Sequence, residues 1–196
     1  MNIDFEKGGG LVPAIVQDAD TDQILMLGYM NHEALAATRK TGLVTFFSRS
    51  RKTLWCKGET SGNTLALVDI AVDCDADTLL VRAKPNGPTC HTGTISCFGN
   101  QGATGFGWLA KLTQVIDARK TADPASSYTA KLLNGPLERC AQKVGEEGVE
   151  TVIAALAQSK PELISESADL LYHLMVLLAA KDLSLDDVIA ELRNRA

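Results

Sequence analysis

The spacing of hydrophobic and polar positions changes near residue 100 of this chain. Before that point, short apolar runs are separated by turn residues, a pattern typical of β-strands. A single short helix is predicted over 31–40, with Asn31 as its N-cap and Gly42 just beyond its end. The predicted strands cover 11–16, 23–26, 44–47, 64–72 and 78–83.

Beyond residue 107 the apolar residues recur at helical spacing instead. One helix is predicted to begin at about Trp108, a second covers 137–156, a third is opened by Pro161, and a fourth covers 184–193 with Ser184 as its cap. The glycine-rich segment FGNQGATGFG (98–107) is predicted to be a linker. The fold class is therefore predicted as α+β, with a β-rich N-terminal domain (1–107) followed by an all-α C-terminal domain (108–196).

The composition narrows the functional classes. The chain has 196 residues and a formal net charge of −5, which disfavours a broad nucleic-acid-binding surface. The longest apolar stretch (170–180) is too short to cross a bilayer, and the first residues lack a secretory signal, so we expect a cytoplasmic protein. Five cysteines in such a chain favour metal binding or burial over disulfides.

An acidic segment, VDCDADT (72–78), raises a first question of chemistry. On an extended chain Asp73, Asp75 and Asp77 would share one face and Cys74 would point the other way. Three neighbouring carboxylates repel one another unless a cation lies among them, and hard oxygen ligands suit Mg²⁺. The alternative is a solvated polar turn that leads into a strand.

Two further cysteines, Cys90 and Cys97, lie in the turn-rich segment GPTCHTGTISCF (87–98), together with His91. Thiolates suit Zn²⁺, and three cysteine ligands with Cys74 would leave one position for water, as in catalytic zinc sites. The alternative is that these cysteines are small buried hydrophobic residues and that His91 is a structural loop residue.

Acidic pairs also occur at helical spacing in the C-terminal half, in KVGEEGVET (143–151) and SESADLLYHL (165–174). Residues three apart share a helix face, so Glu147 with Glu150, and Glu166 with Asp169, form two like-charged pairs. Antiparallel packing of the two helices would bring the pairs together around Mg²⁺. The alternative is a solvated helix face. His173 lies among leucines and is predicted to be a core or interface residue, and Cys140 lies on an apolar helix stripe and is predicted to be buried.

Three N-terminal motifs, LWCKGETSGN (54–63), DCDADT (73–78) and GPTCHTGTISCF, together resemble the phosphoribosyl-AMP cyclohydrolase family over roughly 1–107. The resemblance implies a homodimer in which Cys74 of one subunit and Cys90 and Cys97 of its partner hold zinc. It implies Mg²⁺ at Asp73, Asp75 and Asp77. It also implies a substrate-binding loop that contains Trp55, Lys57, Glu59, Thr60, Ser61, Gly62 and Asn63.

In that family water adds to C6 of an N1-ribosylated adenine, and the N1–C6 bond then opens. A zinc-bound water is the natural nucleophile, as in base deaminases. Three thiolates acidify such a water less than three histidines do, so a nearby base is expected, and His91 is the catalytic candidate. Cys56 lies outside the metal motif and is not expected to be a ligand.

The two carboxylate pairs, preceded by ARKTADPASSYTAKLL (118–133), resemble the MazG-type pyrophosphatases and, among them, phosphoribosyl-ATP pyrophosphohydrolase over about 108–196. The resemblance implies Mg²⁺ at Glu147, Glu150, Glu166 and Asp169, with Glu146 close by. Lys131, Arg139 and Lys143 are available to pair with phosphate oxygens. Their alternative role is to keep the surface soluble.

The domain order resembles bifunctional histidine-biosynthesis enzymes, which implies that the helical half converts phosphoribosyl-ATP to phosphoribosyl-AMP and that the β-rich half then opens the ring. The expected partners are small nucleotides and further copies of the chain, as a homodimer or a larger homo-oligomer. Two other interpretations remain open. One is a zinc-stabilised β module with a helical dimerisation domain and no catalysis, and the other is a nucleotide pyrophosphatase in which only the helical half is active.

Overall fold

The computed structural model describes residues 2–196 and consists of a strand-rich region followed by helices. This confirms the predicted α+β class, because strands occur between residues 12 and 85 and helices between 106 and 195. The chain divides into two compact units, one up to Leu109 and the other from Ala110. Among the described residues, no helix combines the length and the apolar character needed to cross a membrane.

The N-terminal unit is built on a four-stranded sheet with the order β2-β1-β6-β5 and a separate two-stranded sheet, β3-β4. Strands β1 and β6 are parallel, and the other neighbours are antiparallel. The elements are β1 (Val12–Asp18), β2 (Ile24–Met30), α1 (His32–Thr41), β3 (Thr45–Ser48), β4 (Thr53–Cys56), β5 (Leu65–Val72) and β6 (Leu79–Pro85).

The core of this unit follows from the alternation of side chains along the strands. Every second residue of β1 is buried, as expected for a strand with one face against a core. Phe46 is fully buried, and Gly28 leaves room for its ring, because a Cβ at position 28 would lie 2.4 Å from the ring. A contiguous hydrophobic core therefore supports the sheets of this unit.

The hairpin formed by β5 and β6 determines where the candidate functional segments of the N-terminal unit lie. Val72 pairs with Leu79 at its closed end, and Leu65 pairs with Pro85 at its open end. The acidic segment 73–78 connects the strands at the closed end, whereas 57–63 and 86–97 adjoin the open end. Seven residues of β6 span roughly 20 Å at about 3.3 Å per residue.

The C-terminal half is helical: α2 (Phe106–Ala118), a 3₁₀ turn (Arg119–Thr121), α3 (Tyr128–Leu133), α4 (Leu137–Ala157), α5 (Lys160–Ala179) and α6 (Leu185–Arg195). Helices α4 and α5 are joined by only two residues, so they pack as an antiparallel pair. A capping box formed by Ser159 and Glu162 starts α5, and another formed by Ser184 and Asp187 starts α6.

Three features differ from the sequence-based expectation. Strand β4 and helix α3 were not predicted, because four and six residues are too few to establish a clear period. Residues 73–78 are not extended. They form a turn in which Ala76 has a φ of 65°, because the β5–β6 hairpin closes at this point.

Candidate active sites

A cavity of about 460 Å³ lies at the open end of the β5–β6 hairpin. Of the seven residues predicted for the substrate-binding loop of the cyclohydrolase half, six line it, namely Trp55, Lys57, Glu59, Thr60, Ser61 and Asn63. The seventh, Gly62, lies within the same loop, where its N–H donates to the carbonyl oxygen of Gly58. Sequence reasoning missed six other lining residues, namely Met26, Arg51, Gly58, Pro88, Thr89 and Gly93. Cys56, which was not expected to be a metal ligand, also lines the cavity.

The loop that forms one wall of this cavity is held by its own hydrogen bonds. The backbone N–H of Cys56 donates to Oε2 of Glu59 at 3.0 Å, and the ammonium of Lys57 donates to the carbonyl oxygen of Asn63 at 3.2 Å. Gly58 has a φ of 83°, and a Cβ there would lie 2.4 Å from the backbone of Asn63. Only glycine therefore permits this closed loop.

Cys90 and Cys97 both line the same cavity. The hydroxyl of Thr92 donates to Sγ of Cys90 at 3.1 Å, and hydrogen bonds from Thr92 lower the pKa of the Cys90 thiol to about 6. Burial raises the pKa of Cys97, and the neighbouring Cys90 raises it further. The thiolate is the form that binds metals, and the lowered pKa favours this form of Cys90 near neutral pH.

His91 follows Cys90 and is exposed at the cavity wall. Its Nδ1 lies 3.8 Å from Sγ of Cys90. The imidazole is thus close to a candidate ligand while its ring remains accessible from the cavity.

Cys74 lies elsewhere, in the turn at the closed end of the β5–β6 hairpin, and it does not line the cavity. The length of β6 separates this turn from Cys90 by roughly 20 Å along the strand direction. Within residues 2–196 of one chain, the three predicted zinc ligands are therefore not brought together.

The three aspartates of the acidic turn do come together. Asp73, Asp75 and Asp77 each offer a carboxylate oxygen, and these oxygens lie within 4.8 Å of one another. The expected strand-like alternation was wrong. Instead Oδ1 of Asp73 accepts hydrogen bonds from the backbone N–H groups of Asp77 and Thr78, both at 3.0 Å, which curls the segment and gathers the side chains.

A lysine already lies among these carboxylates. The ammonium of Lys7 is 2.7 Å from Oδ2 of Asp75 and 3.1 Å from Oδ2 of Asp77. Its hydrogen bond lowers the pKa of Asp75. The turn is therefore an arrangement that accommodates a cation.

Residues of α4 and α5 form a second carboxylate cluster. Oxygens of Glu147, Glu150 and Glu166 lie within 4.8 Å of one another, whereas Asp169, one helical turn after Glu166, lies outside that set. The charge of Glu147 raises the pKa of Glu150, as expected when like charges share a site. A divalent cation among these groups would relieve that repulsion.

Among the described residues, Lys143 is the positively charged residue nearest to this cluster. Its ammonium contacts Glu147 and lies 3.0 Å from Oε2 of Glu146. The hydrogen bond from Lys143 lowers the pKa of Glu147, although that carboxylate is buried. Arg139 approaches Glu146 at 3.5 Å, and Lys131 is exposed on α3.

His173 was predicted to be a core or interface residue, and it is buried. It also lies beside the second cluster, with Nε2 3.7 Å from Oε1 of Glu147, and burial lowers its pKa. Tyr128 and Tyr172 meet its ring edge-on. Its position beside the cluster could have been predicted from the sequence, because His173 lies one helical turn beyond Asp169. Cys140 is buried, as predicted.

Comparison with known proteins identifies both halves. A model of the phosphoribosyl-AMP cyclohydrolase family matches residues 26–99, and a model of the phosphoribosyl-ATP pyrophosphohydrolase family matches residues 109–196. The chain is 57% identical to the histidine biosynthesis bifunctional protein HisIE of Vibrio parahaemolyticus over 195 residues, which cover 98% of this chain and 92% of that protein.

Relatives in other bacteria are similar to the same extent. The HisIE proteins of Salmonella typhimurium and Yersinia pestis are 57% and 55% identical, each over 193 residues, covering 98% of this chain and 95% and 94% of theirs. Such identity over nearly the whole of each chain, with both family models in the same order, shows the family. The chain therefore belongs to the bifunctional histidine-biosynthesis family, which joins a phosphoribosyl-AMP cyclohydrolase to a phosphoribosyl-ATP pyrophosphohydrolase.

Proposed function

We propose that the two activities are divided between the halves, at about residue 107. The helical half cleaves phosphoribosyl-ATP to phosphoribosyl-AMP and pyrophosphate, and the β-rich half opens the adenine ring of phosphoribosyl-AMP at N1–C6. One observation carries this proposal. The cavity lined by two cysteines lies within the cyclohydrolase match, and the carboxylate cluster of α4 and α5 lies within the pyrophosphohydrolase match.

For the helical half we propose that Glu147, Glu150 and Glu166, with Asp169 as a fourth ligand, hold Mg²⁺. The clustering of three carboxylates and the raised pKa of Glu150 support a cation at this point. Bound Mg²⁺ would neutralise the triphosphate and orient the attacking water. Lys131 and Lys143 would pair with phosphate oxygens, and Lys143 already lies beside the cluster.

For the β-rich half we propose a zinc ligand set made of Cys90 and Cys97 from one subunit and Cys74 from another. The thiol groups of Cys90 and Cys97 share one cavity, whereas Cys74 lies at the opposite end of a hairpin. A second copy is therefore needed to complete the set. Bound Zn²⁺ would supply Lewis-acid activation of the water that attacks C6.

The same cavity suits the nucleotide. Its volume of about 460 Å³ is within the range of sites for small molecules. Trp55 offers an aromatic face, Lys57 and Arg51 offer positive charge, and the loop 57–63 offers hydroxyl and amide groups. We propose that these residues bind phosphoribosyl-AMP and that the Mg²⁺ of this half lies at Asp73, Asp75 and Asp77.

His91 is proposed as the base that accepts the proton of the attacking water. His91→Ala is expected to lower ring opening by about 10²- to 10⁴-fold, the range for loss of a general base. Zinc content should remain that of the parent protein, because His91 is not a ligand. Metal analysis and the rate of ring opening, measured on the same sample, check both statements.

The matched control is Ile95→Ala, an exposed residue of the same loop, which should retain activity. Full activity of His91→Ala would remove the proposed role. Loss of zinc would instead make His91 part of the metal site.

We also propose that the chain forms a homodimer or a larger homo-oligomer. The divided cysteine set requires a second copy. In addition, α4 exposes large apolar side chains that a further copy would cover, with Leu156 84% and Val149 61% exposed.

A zinc-stabilised module without catalysis is less well supported. The N-terminal core is formed by buried hydrophobic residues such as Phe46, Leu25 and Met30, so chelation of zinc should leave it folded. A pyrophosphatase that is active in the helical half alone gives no role to the cavity lined by Cys90, Cys97 and His91.

A single assay separates these functions. Phosphoribosyl-ATP is supplied first with Mg²⁺ and then with added Zn²⁺, while pyrophosphate release and product absorbance are followed. The proposed function predicts both pyrophosphate and the ring-opened product. If the reaction stops at phosphoribosyl-AMP in both conditions, the assignment of ring opening to this chain is wrong.

A further inference from the structure

A short N-terminal segment, residues 4–10, lies against the acidic turn, and we call it the N-terminal strap. The backbone N–H of Asp4 donates to the carbonyl oxygen of Ala76 at 2.7 Å. Phe5 is buried, and its ring lies 3.9 Å from that of His32, measured between centroids. The strap is thus fixed just before Lys7, the residue whose ammonium lies among the aspartates.

The ammonium of Lys7 is fully engaged there. Its three N–H donors have three acceptors: Oδ2 of Asp75 at 2.7 Å, Oδ2 of Asp77 at 3.1 Å and the carbonyl oxygen of Asp75 at 3.3 Å. The backbone N–H of Lys7 donates to Oδ1 of Asp4, which fixes the start of its side chain. This is a defined site for one positive charge.

A divalent cation would need the same oxygens. Mg²⁺ takes oxygen ligands at about 2.0–2.1 Å in near-octahedral geometry and bonds carboxylates directly. Two of the three carboxylates in the turn already bind Lys7, and Asp73 is committed through Oδ1 to the backbone of the turn. The ammonium of Lys7 and Mg²⁺ cannot both bind Oδ2 of Asp75 and Oδ2 of Asp77.

We propose that Lys7 is a built-in competitor for the divalent cation at the acidic turn. This inference rests on the proposed Mg²⁺ site. Without metal, the single positive charge of the ammonium offsets part of the negative charge of Asp75 and Asp77 and reduces the repulsion among the three carboxylates. Metal binding displaces Lys7, releases its part of the N-terminal strap and is weakened by the contacts that must first be broken.

The test measures metal binding directly, with Mn²⁺ as a paramagnetic probe. Full-length, zinc-loaded protein is used, with Glu150→Gln and Glu166→Gln introduced to remove the helical cluster. Replacing Lys7 by Met should tighten Mn²⁺ binding roughly three- to tenfold, as expected when two surface ion pairs no longer compete. Lys52→Met, a similar loss of an exposed charge, should leave the affinity unchanged.

A second measurement follows the strap itself. In the parent protein, Mn²⁺ should speed hydrogen exchange of backbone N–H groups within residues 4–10, and Asp75→Asn should abolish this effect. Lys7→Arg retains a positive charge and should bind Mn²⁺ about as weakly as the parent.

The outcomes distinguish the inference from the function on which it rests. If the parent binds Mn²⁺ in an Asp75-dependent way and Lys7→Met binds it equally well, the competitor role is overturned while the metal site stands. If neither protein shows Asp75-dependent binding, the proposed metal site fails, and the competitor role fails with it. Tighter binding by Lys7→Met alone among the lysine variants supports the inference.

Discussion

Replacing Glu150 by Gln is expected to slow pyrophosphate release from phosphoribosyl-ATP by about 10³-fold, the scale on which a metal ion stabilises transition-state charge. Glu150 forms a cluster with Glu147 and Glu166, and the charge of Glu147 raises the pKa of Glu150. Gln keeps the shape of the side chain but removes its charge, so the proposed Mg²⁺ site loses an anionic ligand. Ring opening of phosphoribosyl-AMP should be unaffected, because it is assigned to the other half.

The matched control is Glu138→Gln, an exposed glutamate at the start of the same helix. It should retain both activities. Comparable loss of pyrophosphate release in both variants would mean that general helix charge, rather than the cluster, supports the reaction. Equal loss of ring opening in Glu150→Gln would contradict the division of activities.

The second large effect concerns the divided cysteine set. Cys74→Ala and Cys90→Ala should each abolish ring opening, because each removes a ligand from both of the proposed zinc sites in the proposed homodimer. A mixed dimer of the two variants, however, retains one complete site, with Cys74 from one chain and Cys90 and Cys97 from the other. With free exchange of subunits, an equal mixture should recover about a quarter of the parent activity.

Subunit exchange must be verified independently, for example by mass spectrometry of differently tagged chains. A mixture of Cys90→Ala with Cys97→Ala is the matched control. Both ligands come from the same chain, so every mixed dimer lacks a ligand in each site and no activity should return. Verified exchange without recovery in the Cys74 and Cys90 mixture would refute the shared site.

Much of the fold could be predicted from local sequence signals. The helix α1 was predicted from its ends, and the structure has Oδ1 of Asn31 accepting from the N–H of Ala34 at 2.8 Å and Gly42 at a φ of 71°. Glu147, Glu150 and Glu166 could be predicted to meet because helical periodicity sets the face and a short connection forces the return.

For the acidic turn, the sequence predicted the right residues to cluster but the wrong backbone conformation to bring them together. Asp73, Asp75 and Asp77 do cluster, but a curled turn gathers them rather than an extended strand. Alternation alone could not reveal that the hairpin closes there, because the closure depends on pairing between β5 and β6.

Other parts of the sites depend on contacts between distant residues. Lys7 meets Asp75 and Asp77 across 68 and 70 residues of sequence, and no local pattern predicts that contact. Arg51 reaches the cavity from the turn between β3 and β4, although its position just before LWCKGETSGN was an available signal. The separation of Cys74 from Cys90 likewise follows from the hairpin and not from spacing.

The division of the two activities is tested most directly by giving phosphoribosyl-ATP to Cys90→Ala and Glu150→Gln separately, with both metals present, and identifying the nucleotide that accumulates. Cys90→Ala should release pyrophosphate and accumulate phosphoribosyl-AMP. Glu150→Gln should leave phosphoribosyl-ATP intact yet open the ring of added phosphoribosyl-AMP. The reverse pattern, or loss of both reactions in either folded variant, would contradict the assignment of one reaction to each half.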